Sequence, residues 1–229
     1  MEMWPDLAPE SISMDYELAL VNAVRAAFPA ARPSGCFFHL TRSMKRHLAE
    51  ECLLGRYSSD PEFALQARMI VALAFVPLGA LDLAFQQLAE QSPPALHPLL
   101  AWFEDNYLGP PQRYGDRGAP LFPPEMWSVH QRTLMGQDRT NNFVEAAHRR
   151  MRDAVGADHP TIWRFIEGQR RVQAGRDKDH EDFVSGREPP RKRRRYVLAD
   201  RRILRIVQRF HTQSYVDYLR GIANNFTVA

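Results

Sequence analysis

A chain of 229 residues with 45% hydrophobic content can bury a sizeable core, as one large domain or as a domain with an appendage. Its formal charge of +3 and pI near 9.0 are only mildly basic, so where the charge sits says more than its sum. Two cysteines, Cys36 and Cys52, in otherwise apolar surroundings argue against a disulfide framework. The most apolar run, residues 69–81, is broken by Pro77 and too short to span a bilayer, and no basic-then-apolar leader opens the chain. These features read as a soluble protein of the cytoplasm or nucleus with no membrane partner.

The opening MEMWPDLAPE carries Pro5 and Pro9 without a period and reads as an approach segment. Residues 11–14, SISM, form a short strand candidate ending at Asp15. Leu20, Val21, Val24, Ala27 and Phe28 then recur at helical spacing until Pro29 stops them. Residues 34–38, SGCFF, are a second buried-strand candidate, running through His39 into a helix with Leu40, Met44, Leu48 and Cys52 in register and Gly55 as its stop. Two successive strand-helix units predict a parallel pair.

From Asp60 the character changes. Asp60-Pro61 is a helix cap with proline at the first helical position, and Phe63, Ala67, Ile70, Val71, Ala74 and Phe75 make a helix nearly apolar all round, central to a bundle. Leu78, Leu81, Phe85 and Leu88 predict the next helix. Leu96, Leu99, Leu100, Phe103 and Tyr107 predict a third, hinged at Ser92-Pro93-Pro94. Residues 109–124 read as a Pro/Gly-rich loop and 125–134 as a short helix holding Trp127. Residues 139–152 follow as an amphipathic helix with Phe143, Val144, Ala147, Met151 and Ala154 on the inner face and Glu145, His148, Arg149 and Arg152 on the other. Pro160 precedes a helix with Ile162, Trp163, Phe165, Ile166 and Val172, residues 174–190 are polar and patternless, and two short helices close the chain. The expected organisation is a partial core over 1–58, a helical insertion over 59–134, core helices over 135–174, a polar and basic linker over 175–196 and a helical tail over 197–229.

Each chemically suggestive residue has a structural alternative. Asp15 at a strand end can present a carboxylate to a metal or simply cap the next helix. Glu145, three residues after Asn142, fits a capping box as well as a catalytic acid. Cys36 and His39 are half of a zinc-site spacing, and equally a buried thiol beside a histidine at the strand's mouth. The block Arg191, Lys192, Arg193, Arg194, Arg195 reads as a nuclear import signal, a phosphate-contacting stripe or a solvated charge run. Five cations without an interleaved acid favour a polyanionic partner.

The order strand, Asp15, helix, GCFFH at 35–39, helix, all-helical stretch, TNNFVE at 140–145 and a helix closing on IWRFI at 162–166 resembles the catalytic region of Mutator-like element (MULE) transposases, over nearly the whole chain. The resemblance implies a ribonuclease H-like fold with a helical insertion before the last catalytic carboxylate. It also implies three acidic residues binding two divalent ions, Mg²⁺ or Mn²⁺, for cutting and joining DNA. By motif, Asp15 stands at the family's second acidic position, Glu145 at its third, and Cys36 and His39 at its C-x-x-H signature. The first aspartate has no counterpart ahead of Asp15. Since magnesium depends on correctly placed carboxylates and the two-metal reaction on a bridging one, Asp15 and Glu145 alone are expected to hold the metal weakly or not at all.

The expected fold is therefore mostly α with a small parallel sheet, a truncated ribonuclease H-like fold with an all-helical insertion. The expected function is that of a nuclear, transposase-derived DNA-binding protein, a relic inactive by itself in cleavage and strand transfer. Arg149, Arg152 and the 191–195 block would contact DNA. Its partners would be DNA and a second copy or another transposase chain, with no small-molecule substrate. A helical protein-interaction module with a silent site is the alternative, and a nuclease needing only two carboxylates is a third reading.

Overall fold

The computed structural model describes residues 7–112, 117–188 and 193–227. β1 (Ser11–Met14) and β2 (Arg32–Gly35) pair in parallel, Ser11 opposite Arg32 through Met14 opposite Gly35, as the two strand-helix units predict. The crossover between them is α1 (Leu18–Ala27), which buries Val21 and Val24 and leaves Leu18 and Leu20 exposed. β2 lies ahead of the predicted 34–38 because helical bonding starts at once after it. Leu40 N–H already donates to the Cys36 carbonyl, and Phe37 N–H turns to the carbonyl of Arg139.

α2 (Phe37–Glu50) buries Phe37, Leu40, Thr41, Met44 and Leu48 in the predicted register but ends before Cys52. Cys52 takes φ +57°, the conformation usually left to glycine at a helix end, so Leu53 N–H bonds back to Leu48 O at 2.8 Å and the thiol is exposed. Gly55, expected to be the stop, falls inside α3 (Leu54–Ser59) instead.

α4 (Pro61–Ala72) starts as its sequence dictates, with Asp60 Oδ1 accepting from the backbone N–H groups of Glu62 and Phe63. Every residue from Met69 to Val76 is buried, and the helix tightens into a 3₁₀ turn before Pro77. α5 (Leu81–Gln91) and α6 (His97–Phe103) pack on it, and α6 runs into a π-helical turn over Glu104–Leu108. Gly109 at φ +91° ends that turn, where a side chain would strike the carbonyl of Gly118 on the returning loop. Arg117 ties the loop down, donating to Glu104 Oε1 and to the Gly109 carbonyl, both at 2.8 Å, and pairing with Asp82.

The predicted single helix over 125–134 is two, α7 (Pro124–Trp127) and α8 (His130–Leu134). They break because Val129 N–H is drawn to Ala74 O and His130 Nδ1 lies 2.7 Å from Phe75 O, at the end of α4. Trp127 is fully buried, its Nε1–H donating to Tyr107 O at 2.9 Å.

α9 (Asn142–Val155) and α10 (Ile162–Val184) come next, then α11 (Arg194–Gln208) and α12 (Tyr215–Ala223). α12 lies along α4, with Tyr218, Leu219 and Ile222 fully buried. The Tyr218 hydroxyl donates to the Phe75 carbonyl and Arg68 Nε to that of Ala223.

The chain divides into two compact units, one of Met1–Thr140 with Leu198–Ala229 and one of Asn141–Val197. The second is an antiparallel hairpin of α9 and α10. Gly156, left-handed at φ +65°, closes α9, and Arg164 covers its last carbonyls, Nε donating to Val155 O and NH2 to Gly156 O. The helices meet closely where Gly168 faces Val155, whose Cγ2 would lie 2.8 Å from a Cβ at 168. Residues 175–184, read as linker, continue α10. Nothing between Gly175 and Gly186 breaks a helix, and Gln173 to Asp177 and Arg150 to Asp179 add side-chain pairing. Among the described residues no helix is long and apolar enough to cross a membrane.

Candidate functional site

Parallel strands deliver their carboxyl ends to one edge, and here that edge gathers the first unit's sequence-predicted site residues. Met14 is paired with Gly35, so the next residues along, Asp15 and Cys36, leave the sheet together, and Cys36 N–H still donates to Met14 O at 3.0 Å. His39, one turn into α2, directs Nδ1 to within 2.9 Å of Asp15 Oδ1. The spacing of the C-x-x-H motif has a local reason. Its first residue caps the helix and its last, in the first turn, reaches back to the adjacent strand end.

Capping does not account for Asp15. The cap position of α1 is Glu17, two residues later. The Asp15 side chain remains about half exposed while that of His39 is largely buried. An O···N separation of 2.9 Å suits a direct ion pair. It also suits two adjacent donors on one cation with bonds of about 2.1 Å. One carboxylate and one imidazole form a mixed oxygen and nitrogen donor pair.

Cys36 is wholly buried and forms no disulfide with Cys52. Among the described residues it enters no cluster of three or more metal-ligating side chains, so the zinc half-site is not completed around it. It stands at the cap position of α2.

Three residues beneath this edge were not singled out by sequence. Tyr16 turns its hydroxyl under the sheet, hard against Gly35, with its ring edge-on to those of Tyr107 and Phe122. That hydroxyl is buried without a hydrogen-bond partner among the described residues, and burial raises its pKa well above the usual tyrosine value. Arg132 donates from NH2 to Gly35 O at 2.9 Å, and burial lowers its pKa. Arg139 accepts the Phe37 N–H at its carbonyl, pairs with Asp200 and lies with its guanidinium 5.5 Å from the Phe75 ring centre. The glycine opposite a large aromatic beside Asp15 is the one signal that sequence offered for this layer.

Glu145 belongs to the second unit. α9 begins at Asn142, so Glu145 is the fourth helical residue and not the third, one position beyond the capping box that Asn142 and Glu145 would make. Arg149 and Arg152 are exposed on the same helix. Of the basic block, Arg193, Arg194 and Arg195 are exposed at the start of α11, with Arg195 NH2 donating to the Tyr196 hydroxyl. Arg191 and Lys192 lie outside the described residues.

Comparison with known proteins gives no match to a family model, to a curated protein or to a solved structure.

Proposed function

We propose that this chain is a transposase-derived DNA-binding protein of MULE type, with a ribonuclease H-like core, a helical insertion and a metal site that includes Asp15. The observation that carries the reading is Asp15 at the carboxyl end of β1, outside the cap of α1 and facing the histidine of C-x-x-H. An aspartate held there solely for helix capping would sit at position 17. By the resemblance, Glu145 is the second carboxylate of this site.

Asp15, with His39 beside it and Glu145 by the resemblance, would hold one divalent ion, and such an ion supplies Lewis-acid activation of a phosphodiester. The chain's own contribution is to fix the carboxylate at the strand end and to restrain it through His39. A magnesium pair does not fit this donor set, so DNA cleavage and joining are not expected of this chain with Mg²⁺ or Mn²⁺. Exposed Arg149, Arg152 and Arg193–Arg195 supply phosphate contacts that carry no base sequence. The same basic block, Arg191 with Lys192 included, serves nuclear import.

Anisotropy of a labelled random-sequence duplex tests the DNA reading. Affinity should fall steeply with salt, the logarithmic slope losing about 0.9 for each phosphate contact removed by Arg149→Ala or Arg152→Ala. Binding that ignores salt, or none at low salt, would instead favour a protein-interaction module. Calorimetry with Mn²⁺ tests the metal reading, since Asp15→Asn should abolish whatever weak binding the wild type shows.

A further inference from the structure

The hairpin of α9 and α10 is divided in charge along its length. Residues 149–176, on either side of its turn, hold seven arginines against three carboxylates, whereas residues 177–182 hold four carboxylates and one lysine. Arg164 is engaged in capping α9, but Arg149, Arg152, Arg170, Arg171 and Arg176 are exposed. In the middle of the basic half, at the second residue of α10, stands Trp163 with 78% of its surface open. Ile162 and Phe165 beside it are also exposed.

A tryptophan so placed fills no core. It borders a shallow cleft of about 400 Å³ whose other walls include Val155, Gly156, Arg164, Glu167 and Arg171. Arg170, seven residues on, lies two turns along the same helical face, about 10 Å up the axis. An open indole face in a cleft, with guanidinium groups two turns further along the helix, is the arrangement that binds unpaired nucleic acid. A base stacks on the ring while cations follow the backbone on either side. A duplex offers no such base, its rings being stacked on one another.

We propose that the basic half of this hairpin is a binding site for single-stranded DNA, with Trp163 as the stacking platform for one unpaired base and Arg170 and Arg171 on the adjoining phosphates. The proposal rests on the DNA-binding reading and narrows it. Charge complementarity selects the occupant, because a protein docking on Ile162, Trp163 and Phe165 would have to leave the surrounding arginines uncompensated.

Titrating the full chain with an oligothymidylate and with a duplex of equal length, at low salt, tests it. The single strand should quench tryptophan fluorescence. Trp163→Ala should weaken single-strand binding about tenfold or more while leaving duplex affinity unchanged, and Trp163→Phe should retain most single-strand affinity but lose the quenching. Duplex binding that persists, together with equal single-strand affinity in wild type and Trp163→Ala, overturns the stacking site alone. Absence of binding to either nucleic acid overturns the DNA-binding reading as well. A fluorescence blue shift that grows with protein concentration without DNA, and is lost in Trp163→Ala, assigns the tryptophan to a contact between copies and also overturns the proposal.

Discussion

The two units hold themselves together differently. In the first, large side chains such as Trp127, Tyr218, Phe63, Phe75 and Phe103 are fully buried around α4, and the carbonyl of Phe75 receives both His130 and Tyr218. In the second, Val155 is the only buried apolar side chain among the described residues, and the hairpin relies on the Gly168 approach, the Arg164 cap and pairs such as Arg150 with Asp179. Hydrophobic burial scales with area and gives cooperativity to the first unit. Solvent-exposed pairing gives the second little more than local order. Stability and the charge proposed for polyanion contact thus reside in different parts of the chain, and removal of one need not remove the other.

Four measurements would break or sharpen that contrast. The largest effect is expected from Trp127→Ala, which empties the centre of the first unit and abandons the Tyr107 carbonyl, at a cost of about 3–5 kcal/mol in a thermal or denaturant melt. Alkaline titration comes next. Burial raises the Tyr107 pKa to about 12 and that of Tyr16 well above its usual value, so neutral phenols favour the folded state. Their stabilisation is fully present below the unfolded tyrosine pKa of about 10 and is lost as pH rises from there through about 12, roughly 2–3 kcal/mol for Tyr107 alone. Near-UV circular dichroism should follow tyrosinate absorbance, and helicity lost first below pH 10 would contradict the assignment.

Gly168→Ala should have a smaller and purely local effect. The added methyl meets Val155, so amides of α9 and α10 should exchange faster, by about 1–3 kcal/mol in opening free energy, while those of residues 69–76 keep their protection. The smallest change is expected from Trp163→Ala, within about 0.5 kcal/mol, because an exposed ring contributes little to folding. A large loss there would mean that the indole is covered in solution.

Periodicity made much of the apolar framework legible. α4 and α6, with the short turns that extend them, bury the residues their spacing singles out, and the α5 segment buries all of its own but Leu78. α1 buries only Val21 and Val24 of its set, with Leu20 and Ala27 exposed. Asp60-Pro61 starts α4 as written. Boundaries failed where a distant partner decided them. Cys52 ended α2 by adopting a left-handed conformation that Gly55 had seemed placed to supply. Ser128 and Val129 split a helix because α4 offered carbonyls. Residues 175–184 carried no apolar stripe because a helix facing water on most sides needs none. At the candidate site, the pairing of Asp15 with His39 followed from two motifs lying in register. Arg132, Arg139 and Tyr16 stayed hidden, since each acts through a residue far along the chain or through a backbone atom that no pattern marks.

The fit of Tyr16 against Gly35 makes the two positions one unit of variation. A Cβ built at Gly35 would fall 2.6 Å from Tyr16 Cζ and closer still to the hydroxyl, while the rings of Tyr107 and Phe122 block the tyrosine's retreat. Gly35→Ala should therefore be harmful in the native background and much milder once Tyr16 is replaced by a smaller residue. Tyr16→Ala would itself open a hollow that the added methyl partly refills. The two changes compensate each other, so the order in which they arise matters. A chain drifting by single substitutions is held at glycine for as long as the tyrosine stays.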